Sequence, residues 1–229
     1  MSGTVALAIW VKTPGSTPAK TRLAAATGTA IADAFYRLAL DAVREVAERA
    51  AADGGGLLAP SWAVAEEEGE ALAWWRGFPT VAQGGGGLGE RLARVYDALL
   101  ARHDAVLFIG ADAPQLAPSL LADAARALVT GAEHFVLGPA DDGGFYLFGG
   151  RRPLPATAWT EVTYSAATTR AELAQRLARH GAVRELPPAF DVDTVDDLRR
   201  LRDALAARDD LGAAGLALRE WLLAWEGTA

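Results

Sequence analysis

Two hydrophobic patterns alternate along this chain. TVALAIWV (4–11), LLAPSWAV (57–64), FPTVA (78–82) and AVLFIG (105–110) are short continuous apolar runs. Runs of this length, bounded by Gly, Pro or charged residues, are the pattern of strands buried on both faces. Pro60 weakens the second run, because proline brings no N–H to a ladder. HFVLG (134–138), FYLFGG (145–150) and VREL (183–186) add shorter strand candidates. Between these runs the apolar residues recur every three or four positions. Ile31, Phe35, Leu38, Val43 and Val46 predict a helix over 29–51, and ERLARVYDALLARH (90–103) and 119–129 predict two more. EEEGEALAWW (66–75) reads as a short helix, and Ser165 is expected to cap another that runs to about 179. Thr194 opens a helix with Asp196 and Asp197 in its first turn, where carboxylates favour the dipole. Strands alternating with helices predict a single α/β domain with a mostly parallel sheet flanked by helices.

The tail, 211–229, predicts an amphipathic helix with Leu218, Trp221, Leu222 and Trp225 on one face. That stripe has two readings, packing on its own domain or a homodimer contact. At 229 residues the chain is long enough to bury a substantial core. No apolar run approaches the ~20 residues of a membrane span. The N-terminal stretch lacks the basic segment and cleavage pattern of a signal peptide, and the absence of cysteine fits the cytoplasmic location expected for the chain. The net charge of −7 argues against a nucleic-acid backbone as main partner. The absence of cysteine excludes disulfides, thiolate–zinc sites and a cysteine nucleophile.

The basic residues are unevenly chosen. Only Lys12 and Lys20 are lysine, and both lie in the Pro/Gly/Thr-rich stretch after the first run. With Arg22 they place three positive charges around a loop leading into a helix, a setting suited to polyphosphate. Further polar clusters follow other strand candidates. Gln83 to Gly89 (QGGGGLG) brings four successive glycines, Gly84, Gly85, Gly86 and Gly87, that let backbone approach a nucleobase or ribose. Asp112 follows the clearest strand, and Asp191 and Asp193 precede the helix opened by Thr194; Asp112 and Asp193 are candidate ligands of a divalent metal. Asp141 and Asp142 abut Gly143 and Gly144 between FVLG and FYLF. This stretch is either a tight Asp-Gly turn or an acceptor site whose aspartates include a general base. In open parallel sheets ligands lie beyond the carboxyl ends of the strands, where all these clusters fall. His103, His134 and His180 show no ligand or triad spacing.

In order, VKTPGSTPAKTRLAA, QGGGGLGERL, IGADAPQL, GPADDGGFYLFGG and DVDTVDDL resemble the motifs of a bacterial family of uncharacterised glycosyltransferase-A-like proteins. Its members are often labelled nucleotide-diphospho-sugar transferases, and some are tied to arsenosugar biosynthesis. More distantly the chain is similar to the guanylyltransferases of the molybdenum and deazaflavin cofactors. The likeness spans about residues 5–205. It implies phosphate contacts from Lys12, Lys20 and Arg22 and a nucleotide-facing loop over Gln83, Gly84, Gly85, Gly86, Gly87 and Gly89. It also implies Mg²⁺ or Mn²⁺ on Asp112 and Asp193. With the residue reading it leaves three functions open. The leading one is glycosyl transfer from a nucleotide sugar to a small acceptor, with Asp142 or Asp141 as base and Gly143 and Gly144 at the acceptor. The others are nucleotidyl transfer from an NTP with release of pyrophosphate, and a non-catalytic nucleotide-binding module. The first loop lacks the L-A-G-G-x-S-x-R pattern of nucleotidyltransferases, and D-A-P replaces the D-x-D of many glycosyltransferases.

Overall fold

A computed structural model describes residues 3–66 and 74–226. Seven strands form one sheet: β1 (Val5–Val11), β2 (Leu58–Val64), β3 (Thr80–Ala82), β4 (Ala105–Gly110), β5 (Phe135–Pro139), β6 (Phe145–Gly150) and β7 (Val183–Glu185). Their order is β3-β2-β1-β4-β6-β5-β7. Every pairing is parallel except those of β6, which runs antiparallel to both β4 and β5. Six strands therefore end at the same edge of the sheet, and the β5–β6 turn lies at that edge too. Pro60 is tolerated for a geometric reason. The Trp62 N–H reaches sideways to the Pro79 carbonyl, and residue 60 faces the same side, where β3 has not yet begun to pair.

The helices are α1 (Thr21–Thr27), α2 (Thr29–Asp53), α3 (Leu88–Leu100), α4 (Pro118–Thr130), α5 (Thr157–Thr160), α6 (Thr169–Leu177), α7 (Val195–Ala206) and α8 (Ala213–Glu226). Alternate residues of the central strands feed two cores. Val5, Leu7, Ile9 and Leu107 pack with Tyr36, Leu40, Val43 and Leu121 on the α2/α4 face. Ala6, Ala8, Phe108 and Phe148 pack with Tyr96, Trp159 and Leu173 on the α3/α5/α6 face. The strands read as continuous apolar runs because both of their faces are covered.

The helix expected over EEEGEALAWW falls largely on residues 67–73, outside the described residues. Ser165 caps no helix; α6 starts at Thr169, and Ser165 sits in a loop with φ 58°. That loop has its own fastenings. The Thr169 hydroxyl donates to the Thr163 carbonyl (2.7 Å), and Glu172 accepts from the Thr163 N–H (2.8 Å) and the Thr168 hydroxyl (2.7 Å). The tail helix packs on its own domain. Leu218 and Leu222 are buried against α2 and α7, with Trp221 and Trp225 beside them. Leu218 and Leu222 thus commit their side of the stripe to the chain's own core, while Trp221 and Trp225 are only partly buried. Among the described residues, no helix is long and apolar enough to cross a membrane.

Candidate functional site

Two adjoining cavities open along the strand-end edge. The larger, about 770 Å³, is lined by Lys12, Lys20, Tyr36, Gln83, Gly86 and Arg91 among others. The second, about 510 Å³, is lined by Asp142, Gly144, Phe145, Tyr146, Tyr164 and Asp191 among others. Their walls share Trp10, Arg22, Leu88, Asp112, Ser165 and Asp193. Asp112 and Asp193 thus stand at the junction.

What brings them together is a backbone seam. The segment after β7 runs along the ends of β5 and β4. Ala189 and Pro139 share a hydrogen bond (3.0 Å), and the Val192 N–H donates to the Asp112 carbonyl (3.0 Å). Thr194 caps α7 in a reciprocal box with Asp197, so Asp193 is not needed as a cap. The side chain of Lys20 is 3 % exposed, and its Nζ meets Asp112 and lies 3.2 Å from Asp193 Oδ1. Arg22 reaches Asp193 Oδ2 from the solvent side at 3.7 Å. Burial first, and then the charges of Asp112, Asp142 and Asp193, push the Asp191 carboxyl up to about 7, with Lys20 opposing.

The loop carrying the lysines is pinned by groups the sequence did not single out. Tyr36 on α2 donates to the Lys12 carbonyl (2.9 Å) and accepts from its N–H (3.0 Å). Glu66 accepts from the N–H and hydroxyl of Thr13, both at 2.9 Å, and the Trp75 indole donates to that hydroxyl (3.0 Å). Lys12 itself is exposed, with Nζ 3.3 Å from the Pro18 carbonyl. No local pattern marks Tyr36 or Glu66, since each works through a partner distant in sequence.

The glycine stretch does not hang free. Arg94 donates to the carbonyls of Gln83 (2.6 Å) and Gly85 (3.1 Å), Arg91 to that of Gly86 (2.9 Å), and Glu90 accepts from the Gly87 N–H (2.8 Å). Gln83 is buried, its amide nitrogen donating to the Ala63 carbonyl (2.8 Å). Gly84, Gly85 and Gly87 are outside the cavity lining, whereas Gln83 and Gly86 are in it. Gly89 lies against α5, where a Cβ would come 2.6 Å from the Trp159 carbonyl oxygen.

The Asp-Asp-Gly-Gly stretch is a turn between antiparallel β5 and β6, with the Gly143 N–H bonded to the Ala140 carbonyl (3.1 Å). Asp142 Oδ1 accepts from the Gly144 N–H (2.8 Å), and Asp142 lines the smaller cavity. Asp141 instead pairs with Arg200 (2.7 Å) and is absent from both cavity walls. Gly143 has φ 89°, and a Cβ there would meet the Ala167 carbonyl oxygen at 2.2 Å. Its side of the turn therefore faces the Thr163–Thr168 loop. Gly143→Ala is expected to destabilise the fold by about 2 kcal/mol or more in denaturant titration, from the left-handed backbone and the overlap together. Gly144→Ala, whose Cβ would come no closer than 3.0 Å to its nearest neighbour, the Asp142 side chain, is expected to cost clearly less. Equal losses would contradict this packing.

Among the described residues, no three carboxylates or imidazoles converge as a ready metal site. The residues nevertheless fit a hard divalent cation. Mg²⁺ typically needs only one or two carboxylates when phosphates and water complete its shell, and Asp112 and Asp193 are half-exposed oxygen donors at the cavity junction.

A family model described as uncharacterized protein conserved in bacteria (DUF2064) matches residues 42–166. No curated protein matches the chain in sequence. A protein from Desulfovibrio desulfuricans G20, assigned as a nucleotide-diphospho-sugar transferase, is similar in structure. It has a TM-score of 0.81 at 24 % identity, over 96 % of this chain and 97 % of that one. The synthetase of CMP-2-keto-3-deoxy-manno-octonic acid, in complex with CTP, superposes with a TM-score of 0.53 at 14 % identity, covering 89 % and 98 %. Glucosyl-3-phosphoglycerate synthase from Mycobacterium tuberculosis, in complex with Mn²⁺, UDP and glucosyl-3-phosphoglycerate, gives a TM-score of 0.51 at 14 % identity, covering 92 % and 81 %. At these identities the likeness establishes the nucleotide-diphospho-sugar transferase fold.

Proposed function

The chain belongs to this bacterial DUF2064 family, and on that premise we propose that it is a transferase acting on a nucleotide-activated donor, with glycosyl transfer to a small acceptor as its reaction. The observation that carries this reading is the meeting of two cavities at Asp112 and Asp193. One wall is cationic and polar, with Lys12, Arg22, Gln83 and Arg91, and suits a nucleoside diphosphate. The other offers Tyr146, Tyr164, Phe145 and Asp142, and suits a ring bearing hydroxyls.

In this reading Asp112 and Asp193 hold Mg²⁺ or Mn²⁺, which supplies Lewis-acid stabilisation of the diphosphate. Lys12, Lys20 and Arg22 neutralise the charge that grows on the leaving nucleoside diphosphate as its bond to the sugar breaks. Asp142 takes the proton of the attacking acceptor hydroxyl. Gly144 leaves room for the acceptor beside Asp142. Gln83 and Gly86 line the nucleoside end, while Gly84, Gly85, Gly87 and Gly89 shape that loop from behind.

Nucleotidyl transfer is the second reading, supported by the shared fold of the CTP-bound synthetase. The released phosphate separates the two. Nucleotides and nucleotide sugars are screened for binding with and without Mn²⁺, and the product of any turnover is then identified. Nucleoside diphosphate is expected. Pyrophosphate would overturn glycosyl transfer in favour of the second reading, and binding without release would favour a non-catalytic module.

A further inference from the structure

Lys20 is placed unusually for a residue that binds phosphate. Its ammonium lies under the site, buried from solvent, between Asp112 and Asp193, whereas these carboxylates are 48 % and 42 % exposed toward the cavities. Its backbone is left-handed, φ 52° and ψ 42°, at the position preceding α1. A non-glycine residue stays in that conformation only where its surroundings over-determine it. No side-chain cap holds this helix start. The residue's charged contacts are the two carboxylates, and Lys20 is also among the residues lining the larger cavity.

We propose that Lys20 is the built-in counter-ion of Asp112 and Asp193, which a divalent cation must displace and which polyphosphate then receives. The inference rests on the metal–nucleotide reading of the site. The ammonium and the cation compete for the same carboxylates, from the protein side and the cavity side respectively. A cation arriving alone leaves a buried ammonium beside a second positive charge, which is unfavourable. A cation arriving with phosphate gives that ammonium a new anionic partner within reach of its flexible stem. The protein therefore favours the metal–polyphosphate complex over either component, whatever the base.

The test is calorimetry with Mn²⁺ alone and with Mn²⁺ plus inorganic pyrophosphate, corrected for their association in solution. In the wild-type protein pyrophosphate is expected to tighten Mn²⁺ binding by about tenfold or more, within the usual range of coupling between sites. In Lys20→Met, Mn²⁺ alone is expected to bind about tenfold more tightly than to wild type, and the coupling to shrink. A variant that binds Mn²⁺ alone no better than wild type would overturn the proposal while leaving the metal site standing. Should the variant not fold, the wild-type comparison decides, since Mn²⁺ affinity indifferent to pyrophosphate is incompatible with displacement. If wild type binds no Mn²⁺ under either condition, the metal reading itself fails, and this inference with it.

Discussion

Asp112→Asn is expected to lower turnover on the order of 10³-fold, the several kcal/mol of transition-state stabilisation that an active-site cation contributes. The substitution keeps the volume of the side chain and removes one of the two carboxylate charges at the junction of the cavities. It is also expected to abolish the strengthening of nucleotide binding by Mg²⁺ or Mn²⁺. Folding should survive, because Asp193 still faces the Lys20 ammonium at 3.2 Å. Asp193→Asn should reduce the metal effect less, because Arg22 also shares that carboxylate. Calorimetry with and without EDTA, beside a turnover assay, separates these outcomes. An Asp112→Asn protein with wild-type turnover and an intact metal effect would remove Asp112 from the machinery.

Asp142→Asn is expected to lower turnover by about 10²–10⁴-fold, the usual contribution of a general base. Metal–nucleotide affinity and thermal stability should stay near wild type. The structural reason is specific. Asp142 Oδ1 accepts the Gly144 N–H at 2.8 Å, and an asparagine oxygen accepts it equally well, so the turn is kept and only the proton acceptor is lost. Asp141→Asn is the control. It breaks an exposed ion pair with Arg200, worth at most about 1 kcal/mol, and should leave turnover intact. Normal turnover in Asp142→Asn would mean the aspartate serves the turn alone. If Asp141→Asn loses activity instead, the proton-accepting role passes to its neighbour.

Some of this site was open to reading from composition and order alone. The restriction of lysine to positions 12 and 20 drew attention to one loop, and both lysines line the larger cavity. The Asp-Asp-Gly-Gly stretch was ambiguous between turn and acceptor site. The structure makes it a turn whose second aspartate lines a cavity, so the two descriptions were compatible. Gly143 was less legible. Its lack of a side chain accommodates Ala167, a residue whose proximity no local pattern announces. Ser165 showed only a serine before a helical stretch, and its position on both cavity walls depends on a loop fastened by Thr169 and Glu172.

The class of the fold and the edge at which its polar residues gather follow from local patterns in the chain. Apolar runs buried on both faces and amphipathic helices are local patterns, and parallel strands joined through helices all end on one side. Which of those residues meet depends on strand order and on a long-range backbone seam. Lys20, Asp112 and Asp193 belong to three separate connections, and they converge because β1 lies beside β4 and the segment after β7 is hydrogen-bonded across the end of β4. The same convergence pushes the Asp191 carboxyl up to about 7, through burial and three neighbouring acids. It also gives Lys20 two carboxylates as partners. Charge interactions depend on distance through space rather than along the chain, so a list of residues in order could name the participants without showing how they are paired.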